Sequence, residues 1–490
     1  MHNIAYLPAH ELARRLRRRE LSSLELLNLY LERIHRLDPR FNAVPVLDVD
    51  RARMRAQEAD AAIARGENWG PLHGLPMTVK ESFNVAGLPT TYGFEASRHN
   101  IASTDAVTVQ RLKAAGAIIF GKTNVPVSLA DWQSFNPVYG TTRNPWDPAR
   151  TPGGSSGGSA AALAAGFTAL EMGSDIGASI RNPAHYCGVY GLKPTWGVVP
   201  LAGHELHPQA CADNFDIAVA GPLARSAHDL ALAMQVLSSP LTAMTSMGRV
   251  PLAWKERGTP PQRCRVAVIL DDAQAEVDSS LQQALHKLVA FLRNAGVAVS
   301  LDVRPVDSVE AHDVYLHLLR AATGSHYDEA SYAAAQASAR QYGPQDRSYP
   351  ARHFRGNTFS HRDWHLMNER RERLRQQWAR FFEGHDLLIC PTATTPAFLH
   401  NQEGQRWERM IPVQREAAVH QQPSTDALFW AGYPGVVGVP ALSVPLGLSP
   451  TGLPVGAQII GPWFGDPDVM RFAQWLESEF RAFQPPPGLE

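Results

Sequence analysis

Apolar and polar positions along this chain fall into two rhythms, one returning every three to four residues and one filling short runs. From residue 22, leucines and Ile34 recur at the spacing of one helical face. Ser22, Ser23 and Glu25 open that helix in the manner of a capping box, and Asp38-Pro39 stops it. A helix from about Asp105 to Ala115 comes next, punctuated by Gly116 and followed by a strand over Ala117 to Phe120. The same grammar recurs as a strand from Cys264 to Leu270, a helix from Asp278 to Ala295 with Leu281, Leu285, Leu288 and Leu292 on one side, and a strand from Val297 to Leu301. That order is a βαβ unit. Strands are predicted again at Asp386 to Cys390, Ala441 to Leu446 and Val455 to Ile460. The last two are joined by a turn holding Pro450 and Gly452, and a helix near Asp468 to Glu479 closes the chain. Residues 320 to 385 are polar and rich in arginine and aromatics, and read as long helices and loops laid over the sheet. Helix-strand alternation predicts an α/β fold. No repeat or linker divides the sequence, so a single domain over 1–490 is expected, with a variable helical insertion around 305–385.

Composition narrows the function classes. With 490 residues and 44% hydrophobic content, the chain buries a large core without disulfide or metal staples. A net charge of -1 offers no concentrated basic field for nucleic acid or anionic membrane. Cys187, Cys211, Cys264 and Cys390 are widely spaced and suggest neither a disulfide framework nor a zinc site, which fits a reducing cytoplasm. The N-terminus lacks a basic-then-apolar signal, and no apolar run approaches the roughly 18 residues of a membrane span. The arginines from Arg14 to Arg19 share their stretch with leucines and read as a solvated helix face. The expected partner is a small molecule, with no nucleic acid and no membrane span; a homodimer is left open.

Chemistry concentrates in two glycine-serine loops. Gly116 to Thr123 matches the phosphate-loop expression letter for letter, but its middle residues Ala117 to Phe120 are apolar and belong to a strand, whereas a phosphate cradle needs exposed backbone opening a helix. Nucleotide binding is therefore not expected there. Thr151-Pro-Gly-Gly-Ser155-Ser-Gly-Gly-Ser159 runs into the small-residue stretch Ala160 to Ala165, and Gly173-Ser-Asp-Ile-Gly-Ala-Ser179-Ile-Arg181-Asn-Pro183 follows. A flexible linker would continue polar; the abrupt turn to alanine argues for a loop folded against the core. Composition alone leaves open whether the pair carries chemistry.

Together with Gly74-Leu-Pro-Met-Thr-Val-Lys80-Glu81, these two loops resemble, in order and spacing, the core of the amidase-signature family. The likeness continues through Gly121-Lys-Thr-Asn-Val-Pro126, Cys187-Gly-Val-Tyr-Gly-Leu-Lys-Pro-Thr195, Pro391-Thr392 and Gly452-Leu-Pro-Val-Gly-Ala-Gln458, so the core motifs lie in 70–200 and 386–482. It is weakest from about 200 to 260 and 305 to 385. The resemblance implies a large mixed β-sheet covered by helices on both faces, an amide hydrolase that needs no cofactor, and ester or carbamate (urethane) hydrolysis as overlapping activities. It further implies Ser179 as nucleophile, Ser155 as a bridging serine held by a cis peptide bond, and Lys80 as base, with the backbone N–H groups of Ile176, Gly177, Ala178 and Ser179 as oxyanion hole. Ser156, Asp175 and Arg181 support that loop, the last two as a brace.

The chemistry is coherent. A serine attacks well only if its proton is removed, and lysine removes it only when neutral. From its reference value of roughly 10.4 the lysine must fall by about 3 units, or ~4 kcal/mol, to be half neutral near pH 7. Activity rising toward alkaline pH is the consequence. The usual pattern has two glycines before the nucleophile, and this chain has Gly177-Ala178. If that position takes positive φ, the added Cβ costs about 1 to 2 kcal/mol. Cys187 beside His185 reads as a small buried apolar residue rather than a nucleophile, and His204-Glu-Leu-His207 lacks the helical spacing and third ligand of a zinc site. Trp132, Trp196, Phe429 and Trp430 hint at an aromatic or apolar substrate group. Two other readings stay in play: the glutaminase component of an amidotransferase complex, and a catalytically inactive protein that binds in the same cleft.

Overall fold

A computed structural model describes residues 4–204, 215–238, 257–416 and 418–489; Cys211 and His207 lie outside these. Eleven strands carry the architecture: β1 (Val46–Leu47), β2 (Pro76–Lys80), β3 (Ile118–Thr123), β4 (Leu170–Asp175), β5 (Tyr190–Lys193), β6 (Val219–Ala224), β7 (Arg265–Val268), β8 (Ala298–Leu301), β9 (Leu387–Pro391), β10 (Ala441–Leu448) and β11 (Pro454–Ile460). The last eight form one mixed sheet in the order β8-β7-β9-β11-β10-β5-β6-β4. Its β8-β7-β9 end is parallel and the rest antiparallel. β1, β3 and β2 form a separate small sheet. Helices cover both faces, as in the α/β arrangement expected. Strands so covered bury both sides, which is why β10 and β11 read as near-continuous apolar runs instead of alternating ones.

The predicted elements are present with shifted ends. The βαβ unit is β7, the helix Ser279–Asn294 and β8, with β8 parallel to β7. Asp278 caps that helix by accepting from Ser280 N, and Leu281, Leu285, Leu288 and Leu292 are all buried. Ser22 caps the helix Ser23–Leu37 reciprocally with Glu25. The expected helix at Asp105 begins only at Val107, because the Asp105 carboxylate accepts from Ala86 N and from Lys113 Nζ. β3 extends through Gly121, Lys122 and Thr123, all buried in strand, so the phosphate-loop look-alike is sheet, as read from sequence. The polar segment folds as the helices Ser308–Gly324, Glu329–Ala339, Tyr349–Asn357 and His361–Gly384.

What the fold does for the site is bring β2 against β4. Lys80 ends β2 and Asp175 ends β4. Each glycine-serine loop then leads into a buried helix, Gly157–Ala164 after the first and Arg181–Cys187 after the second.

Candidate active site

Lys80 is fully buried, and its Nζ donates to Ser155 Oγ at 2.6 Å, Ser174 Oγ at 2.9 Å and Ser174 O at 3.5 Å. All three partners are neutral. Burial pushes the amine down to about 7, outweighing the opposite pull of the Asp175 and Glu81 carboxylates. This is the size of depression a neutral lysine requires near neutral pH.

The Ser155 loop is packed, not flexible: residues 151–165 are buried throughout. Gly154 lies so close to the chain at Asp131 that a Cβ would collide with its carbonyl, and one on Gly158 would strike the Asn124 backbone. The Gly154-Ser155 peptide is cis. Ser134 Oγ ties the loop at both ends, donating to Gly153 O and accepting from Gly157 N. Ser156 joins the two loops, its N–H donating to Ser179 O at 3.0 Å and its hydroxyl to Ser174 O at 3.4 Å.

The second loop turns around Asp175. Its carboxylate accepts from the backbone N–H groups of Ala178, Ile180 and Arg181 and from the Arg181 guanidinium at 2.9 and 3.0 Å. Burial alone would raise this carboxyl; Arg181 and the N–H donors overcome it and hold it below its ordinary value. Arg181 reaches on to Gln458 Oε1 at 2.9 Å and Ala431 O. Two ring donors grip the other side of the turn: Tyr315 OH donates to Ile176 O and Trp132 Nε1 to Gly177 O. Because C=O and the following N–H oppose each other across a trans peptide, these anchors direct the Gly177 and Ala178 N–H groups away from the two rings. Ala178 N is thereby committed to Asp175, whereas the N–H groups of Ile176, Gly177 and Ser179 bond to no other described residue. Ala178 adopts φ +68°, so the Cβ does sit in the left-handed region. Ser179 is 5% exposed, and its hydroxyl bonds to no other described residue. Of the three sequence-derived catalytic candidates, Lys80 and Ser155 are hydrogen-bonded to each other through their side chains, while Ser179 is tied to the Ser155 loop through its carbonyl, which accepts from Ser156 N.

Other candidates are placed elsewhere. His185 accepts from Gly456 N at Nδ1 and donates from Nε2 to Thr395 O; burial pushes it down to about 4. Cys187 is a buried thiol, raised by that burial. Trp196 and Trp430 direct their indole N–H groups to the carbonyls of Phe215 and Ala275, leaving Trp132 as the member of the aromatic set that bonds the site. No group of metal-ligating side chains occurs among the described residues. The sequence reading missed Ser174 and Tyr315, and weighed His204 only as a zinc ligand before setting it aside; its Nε2 stands 3.0 Å from Ser174 Oγ. Ser174 was visible inside the second motif; Tyr315 carries no local signal, and the His204-Glu-Leu-His207 pattern does not point to Ser174.

Comparison with known proteins bears on the family and the fold. A family model described as Amidase matches residues 25–470. A glutamyl-tRNA(Gln) amidotransferase subunit from Anaeromyxobacter sp. (strain K) is 33% identical over 490 residues, covering 95% of each chain. A crystal structure of an amidase is 30% identical with a TM-score of 0.77, covering 97% of this chain and all of that one. A bacterial aryl acylamidase of the amidase-signature family, 24% identical with a TM-score of 0.77 over 97% and 96% of the two chains, shares the fold. Family model, relatives and fold converge: the chain belongs to the amidase family, the carbon–nitrogen hydrolases of the amidase signature.

Proposed function

We propose that this protein hydrolyses small linear amides through an acyl-enzyme on Ser179, with Lys80 as base and Ser155 passing the proton between them. The observation that carries the reading is the 2.6 Å contact between Ser155 Oγ and a fully buried lysine whose amine burial pushes down to about 7. Neutral Lys80 takes the Ser155 proton as Ser155 takes that of Ser179, and Ser179 Oγ attacks the carbonyl. The proton returns by the same route to the departing amine, the harder half of amide cleavage. The carbonyl oxygen, as it gains charge, is received by the N–H groups of Ile176, Gly177 and Ser179. Donors so aimed supply about 3 kcal/mol each in comparable sites. Ala178 contributes by shaping the turn, Asp175 and Arg181 by bracing it. Aryl esters and carbamates present the same carbonyl and fall within the reading. Residues 1–490 act as one unit in the cytoplasm, where the thiols of Cys187, Cys264 and Cys390, unpaired in the fold, stay reduced.

The test is the initial rate on an acyl nitroanilide, its ester and its carbamate, for the native chain, Ser179→Ala and Lys80→Ala. Turnover lost in both variants supports the reading, and turnover surviving Ser179→Ala sinks it. A second reading, the glutaminase component of an amidotransferase, draws on the 33% identity, across nearly the whole chain, to one such protein. Ammonia release from glutamine only when partner proteins are added, and no anilide turnover, would favour it. Binding without any turnover would instead favour an inactive binding protein.

A further inference from the structure

Lys80 has a second serine partner, and that serine leads to a histidine. Ser174 Oγ lies 2.9 Å from Lys80 Nζ and 3.0 Å from His204 Nε2. The same Nε2 is 3.0 Å from Ser82 Oγ, and Nδ1 is 3.3 Å from the Tyr92 hydroxyl. The Phe83 ring packs on the imidazole with centroids 4.6 Å apart. Burial first, and then the neighbouring Lys80, push the imidazole down to about 3, so it is neutral across the range in which a lysine base works. The titratable and charged groups facing this pair are Lys80 and Tyr92 at His204, and Asp175 and Glu81 at Lys80.

Counting protons shows why the histidine matters. A serine hydroxyl has one proton and two lone pairs; a neutral imidazole has one donor and one acceptor; a neutral amine has two N–H donors and a single lone pair. In the proposed reaction that lone pair receives the Ser155 proton. A Ser174 proton turned toward Lys80 would occupy it and block the base. With Nδ1–H directed to Tyr92, Nε2 accepts, draws the Ser174 proton away, and leaves Ser174 only lone pairs to offer Lys80. We propose that His204 is a positioning residue for Lys80, keeping the amine's lone pair free for Ser155 by accepting the hydroxyl proton of Ser174. The same orientation serves the other half of the cycle. The ammonium formed on attack donates to Ser174, which donates to His204, so the transferred proton rests in a satisfied chain until the leaving group takes it.

This inference rests on Lys80 being the base, and the experiment separates the two. The pH dependence of kcat and KM for an uncharged acyl anilide is measured for the native chain, His204→Leu and His204→Gln. Without an acceptor, Ser174 turns its proton to the Lys80 lone pair and the ammonium loses support. His204→Leu therefore lowers kcat about tenfold with KM little changed, and moves the acid limb about one unit to lower pH. His204→Gln, whose Oε1 reaches the Nε2 position, restores most of both. If the leucine variant does not fold, His204→Asn replaces it, since its short amide cannot reach Ser174, and the same two shifts are expected. A rate loss with the acid limb unmoved, or a native rate without an acceptor, overturns the proposal. Lys80→Ala at native rate would instead remove its premise, whereas an inactive Lys80→Ala beside an unmoved limb overturns the His204 role alone.

Discussion

At the scale of single residues, the most consequential choice is a lysine that ends a strand inside the protein. Its partners are two hydroxyls and a carbonyl, none of which holds an ammonium as a carboxylate would. With the amine at about 7, kcat/KM should fall about tenfold per pH unit below that value and level off above it, a profile read directly from initial rates. A peak at pH 5 would contradict a lysine base. The same depression carries a stability cost. A lysine pulled down from 10.5 leaves the folded state holding fewer protons than the unfolded chain between about 7 and 10.5, so stability rises with pH across that window. Lys80→Met should thus stabilise the protein against urea by a few kcal/mol at pH 7 and by less at pH 10. Ala178 is the second telling residue. At φ +68° alanine is tolerated, but a β-branched side chain is not, and Ala178→Val should cost about 2 to 3 kcal/mol by urea unfolding.

Among the elements, β4 illustrates how a site is supported from within a sheet. Glu171, three residues before Ser174, is buried and bonded to the hydroxyls of Thr78 and Thr123 on β2 and β3. Burial pushes its carboxyl up to about 8, despite those hydroxyls. A raised acid contributes stability below its unfolded value near 4.5 and loses it as pH climbs through 8. Glu171→Gln should accordingly stabilise the fold at pH 8 by a few kcal/mol relative to the native chain, and not at pH 4, as thermal melts at the two values would show. Element identity was legible in the sequence wherever a local rule governs it. The Ser22 capping box, the leucine face of Ser279–Asn294 and the Gly116 break are all contained within one turn or one period. The ends were less legible. The start at Val107 depends on Asp105 meeting Ala86 and Lys113, and the extension of β3 depends on a pocket for Lys122 formed by Pro89 and Thr90.

For the molecule as a whole, the Ser179 loop is tied to chain that arrives some 277 residues later, through Asp175, Arg181 and Gln458. Removing Asp175 would leave a buried guanidinium without its counter-charge and three loop N–H groups without their acceptor. Asp175→Ala is expected to cost about 3 to 5 kcal/mol and to lose anilide turnover, whereas Asp175→Asn keeps the shape and loses less. Because Arg181 holds the Asp175 carboxyl below its ordinary 3.8, this contribution is present above about pH 4 and disappears as pH falls through the folded value.

Read alone, the sequence determined the α/β class, the capped helix from Ser22, the βαβ unit and the closing strands and helix, and the three motifs that bear Lys80, Ser155 and Ser179, while the strands Leu170–Asp175, Tyr190–Lys193 and Val219–Ala224 were not read from it. Those depend on period, caps and short patterns of glycine and serine, which act over a few residues. Only the tertiary structure decided that Ala178 N bonds to Asp175, that Tyr315 and Trp132 set the direction of the loop carbonyls, and that His204 stands behind Ser174. Each of these relations joins residues from separate elements at hydrogen-bonding distance. Such distances are set by how β2, β4 and the helices pack, and no local pattern encodes them.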